Sequence, residues 1–233
     1  GVHVLFDTEA EAKALHELGG FPRTQFQFWW HNEGYRTFED FLTRFKSKKR
    51  NKIRRERKEA QKLRITAHTH PTELELRALH RFYRSTCRQF GPWGRVYMSE
   101  DFFVHLGQVW GHRLHAVLAW DGDRPVAGAF NVIKGDRLYG RHWGCTEEHR
   151  FLHFEVCYYQ AIEYCIEHGL KVFEPGHGGG HKYRRGFVPE TTWSSHWLMD
   201  DDIHRVLMEH TADERMSVEQ RVEELRELSP LDD

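Results

Sequence analysis

Apolar positions along this chain fall into two spacings, and the changes from one to the other mark out its elements. Val2–Phe6 reads as a strand. Thr8–Leu18 reads as a helix, opened by Asp7 or Thr8 and closed by Gly19-Gly20. Thr24–Trp30 alternates, with Phe26, Phe28 and Trp30 on one face. Thr37 then caps one long helix whose stripe is Phe38, Phe41, Leu42 and Phe45. Ile65–Ala67 is a short strand, Pro71–Phe90 a helix carrying Leu74, Leu76, Leu79, Phe82 and Tyr83, and Ser99–Trp110 a helix capped by Ser99. The clearest β signal follows: His115–Trp120, Pro125–Ile133 and Arg137–Trp143, joined by Asp121-Gly122-Asp123 and Lys134-Gly135-Asp136, predict a three-stranded antiparallel meander. Phe151–His168 reads as a helix ending at Gly169. Lys171–Phe173 and Thr192–Leu198 read as strands, and Ile203–Leu228 as a terminal amphipathic helix rich in Glu.

Composition adds bounds to this pattern. A chain of 233 residues, 39% hydrophobic and 14% aromatic, can bury the core of one large α/β domain and is too aromatic for disorder. It contains no apolar run of membrane-span length and nothing resembling a signal peptide. Four cysteines without a paired framework point to a reducing compartment, hence the cytoplasm. The net charge of −1 conceals segregation. Residues 44–64 hold twelve Lys or Arg against two Glu, whereas residues 200–233 hold twelve Asp or Glu against four Arg. Between residues 46 and 58 the one apolar side chain is Ile53, and the Glu56 and Glu59 carboxylates are too few to neutralise the cations. Lys48, Lys49, Arg50, Lys52, Arg54 and Arg55 are therefore candidate ligands of a polyanion, either nucleic acid or a phosphorylated substrate. The competing reading is a solvated face with Glu56 and Glu59 paired to Lys52 or Arg55.

Chemistry concentrates in residues 172–187, where a short apolar run ending at Pro175 meets a loop carrying His177, His181, Lys182, Arg184 and Arg185. Four glycines in five positions exceed what a turn requires, and they let a ligand approach the backbone closely. The cations suit an anionic ligand. A basic solvated turn is the other reading.

The order of meander, helix, strand, loop and strand resembles the GNAT fold, an α/β architecture with a mixed, mostly antiparallel sheet flanked by helices. Two stretches sharpen the resemblance. Phe45–Arg57 resembles the K-x-R-x-x-I-R-x-A helix of Fem-type transferases, followed by the strand entry Leu63-Arg64-Ile65. Lys182–Phe187 resembles their F-K-x-x-F-G segment, with Gly186-Phe187 where they have Phe-Gly. Together with Gly140–Gly144 and Phe151–Tyr159, these make the chain resemble the FemAB-like family, whose members are described as peptidoglycan biosynthesis or recognition proteins. The resemblance implies acyl or aminoacyl transfer to an amine acceptor, with no tightly bound cofactor and with aminoacyl-tRNA or acyl-CoA as donor. The glycine run of ordinary GNAT enzymes is missing from Thr146–Arg150, where Glu147 and Glu148 would repel a pyrophosphate. Fem-type proteins pair two GNAT-like halves. Residues 1–30 are then expected to connect to an N-terminal companion half and residues 31–233 to form the transferase domain with its acidic C-terminal helix, with a homodimer as the alternative pairing.

Matching the Fem-type lysine assigns Lys182 the stabilisation of charge on a carbonyl oxygen, or the holding of a substrate phosphate. His177 and His181 are candidate bases for the incoming amine, or loop residues bonded to backbone. Glu155 is a further candidate base, or else a cap or a partner of Arg141. Arg141, Trp143, Tyr158, Gly178, Gly179, Arg184 and Arg185 are candidate substrate-binding positions. If the segment is extended, Arg184 and Arg185 face opposite ways. Cys145, His149, His153 and Cys157 recur every fourth residue. On one helix they form a line about 18 Å long at ~1.5 Å per residue and cannot surround a single ion; only a loop through residues 145–150 would fold them together, and no metal is expected.

Overall fold

The computed structural model describes residues 1–231. In chain order its elements are β1 (Val2–Asp7), α1 (Glu9–Glu17), β2 (Phe21–His31), α2 (Phe38–Thr43), α3 (Ser47–Ala60), β3 (Arg64–Thr69), α4 (Glu73–Gln89) and α5 (Glu100–Trp110). There follow β4 (Leu114–Asp121), β5 (Arg124–Lys134), β6 (Arg137–Cys145), α6 (Leu152–Phe154), a π-helical stretch over Glu155–Tyr159, α7 (Gln160–Glu167), β7 (Val172–Glu174), β8 (Val188–Trp197) and α8 (Asp201–Glu227). Local chemistry explains most boundaries. Thr8, Thr37 and Thr72 each form a full capping box, with Glu11, Asp40 and Glu75 reaching back to the cap backbone.

Two compact units emerge, one of residues 1–29 and 177–230, the other of residues 30–176 and residue 231. In the first, β8 pairs antiparallel with β1 and with Phe21–Trp29 of β2. Helix α8 packs on β8; its Glu214 takes both Arg23 nitrogens at 2.8 and 2.7 Å and the Gln25 amide at 2.7 Å.

The second unit holds the expected meander: β4 pairs with β5 and β5 with β6, both antiparallel, while β3 adds to the outer edge of β4. Strand β7 runs parallel to β6, and Trp30 and His31 of β2 pair with β7. One side of the meander buries Leu76, Leu79, Phe82 and Phe103 from α4 and α5, and a second core joins Val117, Val126 and Ala129 to Leu152 and Val156. A meander, a central helix and a strand parallel to the last meander strand make the fold GNAT-like.

Several boundaries differ from expectation. The helix begun by Thr37 is two helices, because the backbone of Phe45 leaves the helical ladder to form an antiparallel bridge with Leu231. Leu74 does not join the stripe of α4 and stands 65% exposed. Phe151–His168 is not a single α-helix: Phe151 is left-handed (φ 64°), and the π stretch interrupts the cylinder. Within that stretch Glu155, Val156, Tyr158 and Tyr159 are all buried. Strand β8 starts at Val188, four residues before the alternation at Thr192 shows it.

Candidate functional site

In the second unit, β6 and β7 part. They pair over three positions, Arg137↔Val172, Leu138↔Phe173 and Tyr139↔Glu174, and an Arg137–Glu174 ion pair at 2.7 Å fastens that end. Pro175 follows and has no N–H to continue the ladder, and Gly176 turns away at φ +87°. Beyond Tyr139, β6 is paired along β5 alone. Gly140 lets the two strands approach closely at the parting, since a Cβ there would lie 3.1 Å from the Pro175 Cα. The register against β5 slips at the next residue: Phe130 faces His142 and Asn131 faces Gly140, so Arg141 is the extra residue of a β-bulge. Bulging re-aims its exposed guanidinium, which lies over the Tyr139 ring at 5.3 Å. Burial and then the Arg141 charge lower the His142 pKa, so its imidazole is neutral at pH 7. Trp143 is half-buried, edge-on to His153 at 4.9 Å.

The candidate base in this unit is occupied differently. Glu155 has no exposed surface and pairs with Arg57, not Arg141. The Arg57 Nε donates to both carboxylate oxygens at 3.2 and 3.1 Å and Nη2 to one at 3.0 Å, while the Gln61 and Gln160 amides donate at 2.9 and 2.7 Å. Arg57 also bonds Glu163 at 2.6 Å and covers the Phe38 ring at 4.3 Å. A carboxylate with this many donors is held in a fixed place. Glu56 is not a surface partner of Lys52 or Arg55; it is buried and accepts the Tyr159 hydroxyl at 2.6 Å. Adjacent residues of α3, Glu56 and Arg57, thus fix the two ends of the π stretch. Tyr158 is buried against His153 and Phe154.

The rest of α3 is as cationic outside as its sequence. Lys48, Lys52 and Arg55 are exposed, Lys49 and Arg50 half-buried, and Arg54 reaches Glu39 at 2.5 Å; Glu59 pairs with Lys62 at 2.8 Å. Among the described residues no three His, Cys, Asp or Glu side chains stand close enough to hold a metal ion.

In the first unit, Gly178 and Gly179 of the glycine loop are both left-handed (φ +73° and +83°). A Cβ on Gly179 would lie 2.9 Å from the His181 ring and 3.4 Å from Lys182 Cε, so that glycine makes room for both. Lys182 is 3% exposed and its ammonium donates to the His177 carbonyl at 3.2 Å. Lys182–Phe187 is not extended: Tyr183–Arg185 forms a 3-10 turn closed by Gly186 at φ +83°. Arg185 is buried and donates to the His181 carbonyl at 3.0 Å, while Arg184 is exposed. His177 is exposed. Burial, followed by the charges of Arg185 and Lys182, lowers the His181 pKa and keeps its ring neutral.

Sequence reasoning missed Arg57, which sits unmarked among twelve like charges. Only its tertiary partners distinguish it.

Comparison with known proteins agrees with this architecture. A family model named FemAB-like, described as peptidoglycan biosynthesis/recognition, matches residues 1–233. Among solved structures, FemX superposes with a TM-score of 0.53 at 10% identity, covering 78% of this chain; the chain spans 64% of FemX. L-PGS from Bacillus licheniformis gives 0.56 at 11% identity, covering 86% of this chain and 69% of that one. A DUF2156 domain from Agrobacterium fabrum, assigned to a lysylphosphatidylglycerol synthetase, gives 0.61 at 9% identity, covering 90% and 71%. At these identities the likeness is one of fold. No curated protein matches the chain in sequence. With the meander, the parted strands and a family match over its whole length, the chain belongs to the FemAB-like family.

Proposed function

We propose that this protein is an N-acyl or aminoacyl transferase of peptidoglycan or lipid synthesis, using aminoacyl-tRNA or acyl-CoA as donor and an amine as acceptor. The observation that carries this reading is the parting of β6 and β7 after three residues, which frees one backbone edge of β6 for an extended donor. Arg141, aimed by the bulge, supplies a cation for an anionic group of the donor. Lys182 is assigned the charge that develops on the carbonyl oxygen. His181, kept neutral, is assigned the proton of the attacking amine, with His177 as the less buried alternative. Gly178, Gly179, Arg184 and Arg185 belong to the loop that carries His177, His181 and Lys182. Glu155 supports the central helix and takes no proton from substrate.

A recognition module without turnover is the second reading, and the engagement of Glu155 by Arg57, Gln61 and Gln160 favours it. The basic face of α3, with Lys48, Lys52 and Arg55 exposed, would then bind nucleic acid or an anionic precursor. Equilibrium binding and single-turnover transfer, measured with charged tRNA and with acyl-CoA, separate the two. Gly140→Val should fill the parting and weaken donor binding, whereas Lys182→Ala should keep donor binding and lose transfer. Unchanged donor affinity in Gly140→Val would remove the assignment of the β6 edge.

A further inference from the structure

An aromatic knuckle at the end of α4 is not used by any of the chemistry above. Phe90, Trp93 and Tyr97 are 64%, 91% and 80% exposed, Val96 is exposed beside them, and among the described residues none of the three rings stacks on another ring. This exposure is built in. Phe90 N–H bonds the Cys87 carbonyl, Trp93 N–H the Phe90 carbonyl and Gly94 N–H the Gly91 carbonyl, at 3.2, 3.2 and 3.1 Å. Gly91 is left-handed, and a Cβ on Gly94 would collide with the Cys87 carbonyl oxygen. At the far side, Tyr97 N–H donates to the hydroxyl of buried Tyr83 at 2.8 Å. The backbone is therefore folded down tightly while its rings point out.

Cations accompany these rings. Arg81, Arg84 and Arg88 follow one another at helical spacing on the exposed face of α4, and Arg95 lies within the knuckle. Residues 81–97 contain no Asp or Glu. Among the described residues none of these four arginines has an ion-pair or hydrogen-bond partner, whereas other exposed arginines, Arg23, Arg54 and Arg124 among them, find a carboxylate. Large rings with polar edges suit the boundary between headgroups and acyl chains, and unpaired guanidiniums beside them suit anionic headgroups. A bare strand of nucleic acid is served by a basic groove with stacking platforms along it. Rings as exposed as Phe90, Trp93 and Tyr97 are not lodged in such a groove.

We propose that the Phe90–Tyr97 knuckle, rimmed by Arg81, Arg84, Arg88 and Arg95, docks this protein onto an anionic lipid bilayer. The inference stands on this surface alone and does not depend on the transfer reaction.

Co-sedimentation of the full chain with phosphatidylcholine vesicles, with and without phosphatidylglycerol, tests it. Binding to the anionic vesicles should be at least about tenfold tighter and should weaken with salt. Phe90→Ser/Trp93→Ser/Tyr97→Ser and Arg84→Glu/Arg88→Glu/Arg95→Glu should each lose about tenfold in affinity with unchanged melting temperature. Lys48→Glu/Lys52→Glu/Arg55→Glu should bind as the unmodified chain does. Brominated lipid should quench tryptophan emission, and Trp93→Phe should remove most of that quenching. Absence of vesicle binding would overturn the proposal. So would binding lost in the α3 variant and kept in the aromatic one, or an aromatic variant that loses affinity for single-stranded RNA and none for vesicles.

Discussion

Arg57 and Glu155 show how one pair can decide whether a charged residue is support or chemistry. With Glu155 fully buried and Arg57 nearly so, removing the cation leaves an uncompensated buried carboxylate. Arg57→Ala should therefore cost about 3–5 kcal/mol in urea unfolding. Glu155→Gln keeps the shape and should cost visibly less; equal losses would mean that packing, not charge, holds the pair. A second residue, His115, predicts a pH dependence. It lies fully buried, with Nδ1 accepting from Asn131 at 3.0 Å, and burial, then the charges of His168 and His68, lower its pKa from 6.5 to about 3. The unfolded chain takes up this proton near pH 6.5 and the folded one does not. Its contribution to stability is complete above that pH and is lost as pH falls toward 3. The slope is up to about 1.4 kcal/mol per pH unit. In His115→Gln the decline between pH 6.5 and 5 should be shallower by that amount, and identical slopes would show that the folded protein protonates His115. At this scale the sequence offers candidates without partners. Glu155 was legible as a carboxylate in an apolar segment, but its engagement by Arg57 depends on a contact 98 positions away in the chain.

Helix α3 is an element of two faces. Ile53, Glu56 and Ala60 turn inward, while Lys48, Lys52 and Arg55 are solvated and lack carboxylate partners among the described residues. Reversing these three to Glu should leave the melting temperature within about a degree or two, since exposed charges contribute little to stability. It should also reduce the salt slope of polyanion binding by about 0.7 per lost contact on single strands and about 0.9 on duplex DNA. An unfolded triple variant would assign the run to structure. Elements set by local signals were legible: the meander through its Asp-Gly and Lys-Gly turns, and the starts of α1, α2 and α5 through Thr8, Thr37 and Ser99. The break at Phe45 and the π stretch were not. One arises from a bridge to Leu231 near the end of the chain and the other from polar partners on α3. Neither is a property of its own segment.

For the whole molecule, the sequence carried the GNAT-like topology because the meander, central helix and parallel strand follow one another directly in the chain. The composition of the two compact units was less legible, since each joins segments distant in sequence. No helix of the described residues is long and apolar enough to cross a membrane. Transfer from a donor to an amine is read out by steady-state turnover. The folded chain should be supplied with labelled aminoacyl-tRNA or acyl-CoA and a panel of amine acceptors that includes peptidoglycan-precursor peptides and aminolipid headgroups. Amide-linked label should accumulate well beyond one equivalent of protein, should fall by about two to three orders of magnitude in Lys182→Ala, and should persist in Glu155→Gln. Donor that binds and is never transferred to any acceptor, with Lys182→Ala indistinguishable from the unmodified chain, would contradict the account and leave a recognition module in its place.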